Sequence, residues 1–211
     1  MKTPHYYEEP PVNIGEIVIP PCEMMFYQYL PIKMAGSHEI RMERRLDPFK
    51  ALVGKVACDF IGEFGLESFV ENYLYLTAKY AYQGRGNYFN RTGYHCDGFL
   101  TDDINYIWSD TGATIFNEAR FDLSFDDQLS LAEMVGQARQ ENERCYSDGA
   151  VLRLNQYNVH RVDETFEGMR AFVKLSFSKD KYNLAGNAHN YEFDYSWEMK
   201  QRQIARNIPQ K

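Results

Sequence analysis

A histidine and an aspartate stand two positions apart in the stretch TGYHCDGF, residues 92–99, with a cysteine between them. In an extended chain alternate side chains share a face, so His95 and Asp97 would point the same way and Cys96 the other way. An imidazole and a carboxylate on one face suit metal chelation. The same pair is compatible with a turn histidine and a capping aspartate, so a metal site requires a third ligand.

A third candidate ligand, His160, ends the stretch GAVLRLNQYNVH, residues 149–160. If this stretch is one strand, the face that ends in His160 changes from apolar to polar along its length. The inward face of a barrel has this character where the packed core gives way to a site. The face comprises Ala150, Leu152, Leu154, Gln156, Asn158 and His160.

Arg170 begins the next strand candidate, RAFVKLSF, residues 170–177. The two stretches predict a hairpin closed by the polar loop 161–169, which would bring the guanidinium and the His160 imidazole to the same end of the sheet. Arg170 should face away from the apolar layer, and Lys174 shares its face, which indicates a flared sheet edge or a substrate anion. The apolar face comprises Ala171, Val173, Leu175 and Phe177.

The sequence predicts several of the helices and strands that must position these residues. Asp47 and Pro48 predict an N-cap and a first helical turn, and apolar residues then recur at helical spacing until Gly65. The stretch 72–83, rich in tyrosine, leucine and threonine, predicts a strand that leads toward His95. Further patterns predict a strand at INYIW, residues 104–108, and a helix over residues 126–141.

Strands outnumber helices in the second half, and no regular crossover helix separates one strand from the next. An antiparallel sandwich or barrel is therefore favoured over an α/β fold. The proline-rich stretch 1–46, with short strand candidates at GEIVIP and MMFYQYL, predicts an N-terminal arm around the core. We expect one domain over residues 1–211, comprising the arm 1–46, a helix 47–65, a barrel core 72–178 and a C-terminal segment 179–211.

Composition limits the classes of partner. The 211 residues are 44% hydrophobic, and the sequence has no apolar run of membrane-spanning length and no basic, apolar leader. The four cysteines show no C-x-x-C spacing, which favours reduced thiols and a cytoplasmic protein. The net charge of −7 comes without a basic block, so nucleic acid is a disfavoured partner and a small molecule is favoured.

Taken in order, His95-x-Asp97, His160 and Arg170 resemble the signature of the 2-oxoglutarate and Fe(II)-dependent oxygenases. The resemblance covers residues 72–178. It implies a mainly β protein with flanking helices, folded as a double-stranded β-helix, the jelly-roll or cupin-like barrel. It also implies that His95, Asp97 and His160 hold Fe(II), and that Arg170 holds the distal carboxylate of 2-oxoglutarate.

The resemblance further implies that the protein couples oxidative decarboxylation of 2-oxoglutarate by O₂, through a ferryl species, to oxidation of a substrate. The expected reaction is hydroxylation of a small molecule such as an amino acid or a biosynthetic metabolite. Many members have serine or threonine two residues after the arginine, where this chain has Phe172. Another hydroxyl, from a tyrosine of residues 72–108, would then have to help hold the co-substrate.

Two alternatives remain open. One is an oxygenase that acts on a nucleobase or a protein side chain, for which a local basic patch around Arg41, Arg44 and Arg45 could serve. The other is a cupin-type barrel that binds a metal or ligand without 2-oxoglutarate chemistry. Cupins usually show two closely spaced histidines followed by a glutamate, whereas this chain has a histidine and an aspartate.

Overall fold

The structure, a computed structural model, describes residues 7–84, 86, 88 and 90–202. This part of the chain is mainly β, with two antiparallel sheets and few helices. Residues 1–6 of the predicted arm, residues 85, 87 and 89, and residues 203–211 of the predicted C-terminal segment lie outside the described residues. In chain order the strands are β1 (Val12–Glu16), β2 (Met25–Lys33), β3 (Tyr73–Gln83), β4 (Ile104–Ser109), β5 (Ile115–Asn117), β6 (Glu143–Cys145), β7 (Ala150–Leu154), β8 (His160–Arg161) and β9 (Gly168–Ser178).

The larger sheet has six strands in the order β1-β7-β4-β9-β3-β2, and the smaller has three in the order β6-β5-β8. An isolated antiparallel bridge between His95 and His160 adds the segment around His95 beside β8. The strand predictions at 72–83 and 104–108 are confirmed as β3 and β4. The predicted N-terminal arm supplies both edge strands of the larger sheet, β1 and β2, although most of the GEIVIP stretch lies outside β1.

Helix α1 (Lys50–Glu71) follows a 3-10 turn over Arg44–Phe49 that contains Asp47 and Pro48. The helix predicted over 47–65 is therefore present from Lys50, and Gly65 interrupts it with a φ of 86°. The prediction of Asp47 as its N-cap is wrong, because Asp47 lies inside the 3-10 turn and Phe49 is the N-cap. Helix α2 (Asp127–Gln137) confirms the second helix prediction, and its N-cap Asp126 accepts hydrogen bonds from two backbone amides. None of the described helices combines the length and apolar character needed to cross a membrane.

The two faces of the larger sheet are covered by different layers. One face packs against α1 through a core that includes the alternate β9 residues Ala171, Val173, Leu175 and Phe177, as the sequence predicted. The other face meets the smaller sheet through a second apolar cluster. That cluster comprises Ile107, Phe116, Ala150, Leu152, Leu154 and Phe172.

The predicted hairpin between 149–160 and 170–177 is wrong, because β4 lies between β7 and β9 in the sheet. Strand β7 ends at Leu154, and the Asn155 and Asn158 side chains then bond backbone amides of the same turn. Such local side-chain bonds compete with strand pairing. The chain leaves the larger sheet there, so His160 belongs to the smaller sheet, and the face predicted to run from Ala150 to His160 does not continue beyond Leu154.

A buried lysine joins the end of β2 to the end of α1. Lys33 is fully buried, and its ammonium donates to the carbonyl oxygens of Met34 and Ser37 and, across the sheet edge, of Val70 and Asn72. Burial lowers the pKa of Lys33 to about 8. The carbonyl oxygens stabilise the charged form of Lys33, and its ammonium in turn satisfies the hydrogen bonds of these buried carbonyls.

We expect Lys33→Met to lower the free energy of unfolding by about 3 kcal/mol, because methionine fills the space but leaves buried carbonyls without a donor. Chemical denaturation monitored by circular dichroism measures the change. Lys50→Met is the matched control, since Lys50 is 62% exposed and pairs only across one helical turn with Asp47. Equal losses in the two variants would contradict the assignment of Lys33 as a structural tie.

Candidate metal centre

His95 and His160 are held opposite each other by a reciprocal pair of backbone hydrogen bonds. The amide of each donates to the carbonyl of the other, and both N···O distances are 2.9 Å. Directly opposed residues of an antiparallel pair project their side chains to the same side. The two imidazoles accordingly lie together, with ring centroids 4.5 Å apart.

Both imidazoles are oriented in the same manner. Nδ1 of His95 lies 3.0 Å from the Gly93 carbonyl, and Nδ1 of His160 lies 2.9 Å from the Asn158 carbonyl. A carbonyl only accepts, so each Nδ1 carries the hydrogen and each Nε2 keeps its lone pair for another partner. This carbonyl contact is the usual way in which a metal-binding histidine is oriented.

Asp97 completes the group. One oxygen, Oδ2, lies 3.8 Å from Nε2 of His160, and the ligand atoms of His95, Asp97 and His160 all lie within 4.8 Å of one another. Gly98 follows with a φ of +70°, and a Cβ there would come within 2.8 Å of the Thr101 hydroxyl. A glycine is therefore required for the turn that carries the chain away from Asp97.

The electrostatics of the group suit a cation. His95 and His160 are only 9% and 5% exposed, and burial lowers the pKa of both, that of His95 to about 3. Burial alone would raise the pKa of the Asp97 carboxyl, but Lys174 and the two histidines hold it well below its usual range. At neutral pH the group thus offers two neutral imidazoles and one carboxylate, the donor set of a facial triad for a divalent transition metal.

The surrounding strands fix this geometry. Arg161, next to His160, binds Glu143 of β6 with its Nη2 3.0 Å from Oε1, and the hydroxyl of Tyr94, next to His95, donates to the same carboxylate. One glutamate therefore ties together both histidine-bearing segments. Cys96 points away, as predicted, and is buried in a separate apolar cluster with Tyr7, Phe121, Leu123, Met134 and Val159.

Arg170 lies at the start of β9, fully buried, on the face opposite the α1 core. Its Nε donates to the Thr111 carbonyl over 3.1 Å, and its Nη1 donates to Oε1 of Gln83 over 3.3 Å. The guanidinium carbon also lies 5.1 Å from the Phe172 ring centroid. Gln83 of β3 is the side-chain acceptor for Arg170, and the tyrosine hydroxyl expected from residues 72–108 to help hold the co-substrate stays a prediction.

Lys174 contacts Asp97, and Tyr29 in turn contacts Lys174, and neither contact was predicted from the sequence. Nζ of Lys174 lies 3.2 Å from Oδ1 of Asp97 and also 3.2 Å from the Tyr29 hydroxyl. The alternation along β9 places Lys174 on this face, so its position was foreseeable although its partner was not. Tyr29 comes from β2, far away in the sequence, and no local pattern connects it with His95 or Asp97.

An open cavity of about 570 Å³ lies elsewhere, at the rim of the larger sheet. It is bounded by α1 and by residues 100–104 and 155–157, and the three candidate ligands do not line it. The described part of the chain contains no other group of three or more histidine, cysteine or acidic side chains arranged to hold a metal. The candidate metal centre, His95, Asp97 and His160, is therefore separate from this cavity.

No protein-family model matches the sequence, and no curated protein matches it either.

We expect His160→Ala to weaken Co²⁺ binding by at least about tenfold, because it removes one of three protein ligands. Titration of the visible absorbance of bound Co²⁺ measures the affinity. His189→Ala is the control, since His189 stacks on Tyr195, with ring centroids 4.4 Å apart, and is not one of the three ligands. Superimposable curves for wild type and His160→Ala would show that His160 does not bind the metal.

Proposed function

We propose that this protein is an Fe(II) and 2-oxoglutarate-dependent oxygenase that oxidises a small molecule. The observation that carries the proposal is the state of Arg170. Its Nη2 is buried and has no hydrogen-bond partner among the described residues. A buried guanidinium with an unsatisfied donor is costly unless a ligand completes its hydrogen bonds.

A carboxylate is the ligand that fits this guanidinium. Two oxygens of a carboxylate match two donors of the planar fork, and the pairing is charge-assisted. Burial lowers the pKa of Arg170 to about 10, so the side chain stays charged at neutral pH. In the proposed function Arg170 binds the distal carboxylate of 2-oxoglutarate, with Gln83 orienting the guanidinium and the Phe172 ring excluding water from one side.

The strand order supports a double-stranded β-helix. Strands β3, β4, β7 and β9 lie in the larger sheet, and the His95 segment, β5, β6 and β8 lie in the smaller one. Along the chain, successive segments pass from one sheet to the other, except at the β5 to β6 step. That alternation supports the proposed jelly roll, in which two sheets would face each other around the site.

When bound by His95, Asp97 and His160, Fe(II) would supply O₂ activation coupled to decarboxylation of 2-oxoglutarate. The residues of the chain bind and orient the reactants. The two histidines present Nε2 because backbone carbonyls hold Nδ1, and Arg170 anchors the co-substrate from the same face of β9 that presents Lys174 to Asp97. Phe116 of β5 pairs with His160 in the smaller sheet, and its ring packs beside the imidazole with centroids 5.5 Å apart.

A small-molecule substrate is favoured by the charge of the chain. The chain has a net charge of −7, which gives long nucleic-acid backbones no general attraction. A cupin-type metal protein without 2-oxoglutarate chemistry would use the same three ligands, but it would leave the open donor of Arg170 unexplained. Binding of 2-oxoglutarate therefore separates the two functions.

The decisive experiment is anaerobic titration of the Fe(II)-loaded protein with 2-oxoglutarate, monitored by the charge-transfer absorbance of the complex. Arg170→Ala should still bind Fe(II), but its affinity for 2-oxoglutarate should fall by about a hundredfold or more. The affinity of Arg170→Lys should lie between those of Arg170→Ala and wild type, because an ammonium keeps the attraction but cannot form the two parallel hydrogen bonds of a guanidinium.

Arg139→Ala, which removes an exposed arginine, is the control and should titrate as wild type. Wild-type protein exposed to O₂ should also convert 2-oxoglutarate to succinate slowly without a substrate. Identical titrations for wild type and Arg170→Ala, or no binding of 2-oxoglutarate to the wild type, would contradict the proposed function.

A further inference from the structure

We infer that Lys174 and Tyr29 are positioning residues that hold the Asp97 carboxylate so that only one of its oxygens is presented to the metal. The inference rests on the proposed metal-binding role of His95, Asp97 and His160. It concerns residues that the triad itself does not include. It is based on the different neighbours of the two Asp97 oxygens, Lys174 for one and His160 for the other.

The two oxygens of Asp97 point to different groups. Oδ1 lies 3.2 Å from Nζ of Lys174, and Oδ2 lies 3.8 Å from Nε2 of His160. Oδ2 is therefore the oxygen on the side of the imidazole lone pairs, where a metal ion would bind. Oδ1 is already occupied by an ammonium donor, and an oxygen that accepts such a bond is a poor second ligand for a cation placed on the other side.

Lys174 is a nearly buried residue of a central strand and not a surface lysine. It lies on β9, directly opposite Thr77 of β3, and its side chain is only 12% exposed. The described hydrogen-bond partners of its ammonium are one carboxylate oxygen and one hydroxyl.

Tyr29 reaches Lys174 through an unusual backbone conformation. Its φ is 48°, a value that residues with a side chain rarely adopt, and it lies at a register shift between β2 and β3. The amide of Tyr29 donates to the Thr77 hydroxyl over 3.1 Å, which satisfies the bulged backbone. Local strain of this kind persists where the surrounding structure enforces it, commonly at functional sites.

The ring of Tyr29 is fixed as well. It meets the ring of Tyr182 edge-on, with centroids 5.1 Å apart, and the Tyr182 hydroxyl donates to Asp103 over 2.6 Å. Tyr182 also stacks on Tyr75 of β3 with centroids 4.3 Å apart. The backbone bulge at Tyr29, its amide hydrogen bond to the Thr77 hydroxyl and its ring contact with Tyr182 thus place the Tyr29 hydroxyl beside Lys174.

The consequence concerns the number of positions left open on the metal. With two histidines and one carboxylate oxygen as ligands, an octahedral ion keeps three positions for a bidentate co-substrate and O₂. If Asp97 could bind through both oxygens, one of those positions would be lost. Lys174, held by Tyr29, prevents this by keeping Oδ1 engaged.

The test counts water ligands on Mn²⁺ bound to the protein, through the broadening of its electron paramagnetic resonance lines by ¹⁷O-labelled water. Wild type should show three waters, and Lys174→Met should show two, because the released Oδ1 displaces one. Lys174→Arg should restore three, since it keeps a cationic donor. Tyr29→Phe, which retains the ring packing, should give a value between two and three.

Lys179→Met is the matched control, because it removes a lysine that is paired with a carboxylate, Glu71, at 2.9 Å on the surface. It should show three waters. An unchanged count in Lys174→Met overturns the inference, as does an unchanged count in Tyr29→Phe if Lys174→Met does not fold. Failure of wild type to bind Mn²⁺ overturns the inference together with the metal centre, whereas the expected water counts without any 2-oxoglutarate binding contradict the proposed function alone.

Discussion

The pair of backbone hydrogen bonds between His95 and His160 is the constraint on which the site depends. It brings together two residues that lie on separate segments, and it sets both imidazoles on the same side of the smaller sheet. Asp97 joins them because it follows His95 by two positions, with the intervening Cys96 turned to a separate apolar cluster. The bridge in turn needs the Glu143 carboxylate, which binds Arg161 and Tyr94 next to the two histidines.

Strand β9 links this site to the core. Its odd-numbered residues from Ala171 to Phe177 pack against the layer that contains α1, while Arg170, Phe172 and Lys174 project to the opposite face. Because side chains alternate strictly along a strand, a shift of register by one residue would place the cations in the apolar core beside α1 and the aliphatic residues on the face of the site. Packing of the core thus determines where the guanidinium and the ammonium stand.

The residues of the candidate site were predictable mainly where the signal is local. The His95 and Asp97 pair follows from two-residue alternation, and the orientation of Arg170 follows from the apolar residues that alternate with it. The path of the chain between Leu154 and His160 could not be predicted from the sequence. Side-chain hydrogen bonds of Asn155 and Asn158 end strand β7, although the alternation of apolar and polar residues continues beyond it. Tyr29 could not be placed either, since its contact with Lys174 depends on pairing between strands remote in sequence.

The buried Lys33 and Arg170 and the nearly buried Lys174 differ in how far the described residues satisfy their hydrogen bonds, and that difference separates their roles. Lys33 donates to four backbone carbonyls, so its charge serves the fold. Lys174 donates to a hydroxyl and to Asp97, a candidate metal ligand, so its charge acts on the geometry of the site. Arg170 keeps one nitrogen without a described acceptor. A buried donor without an acceptor in the protein is costly, so its presence indicates a bound ligand that accepts the hydrogen bond. A carboxylate matches both the positive charge and the planar geometry of the guanidinium.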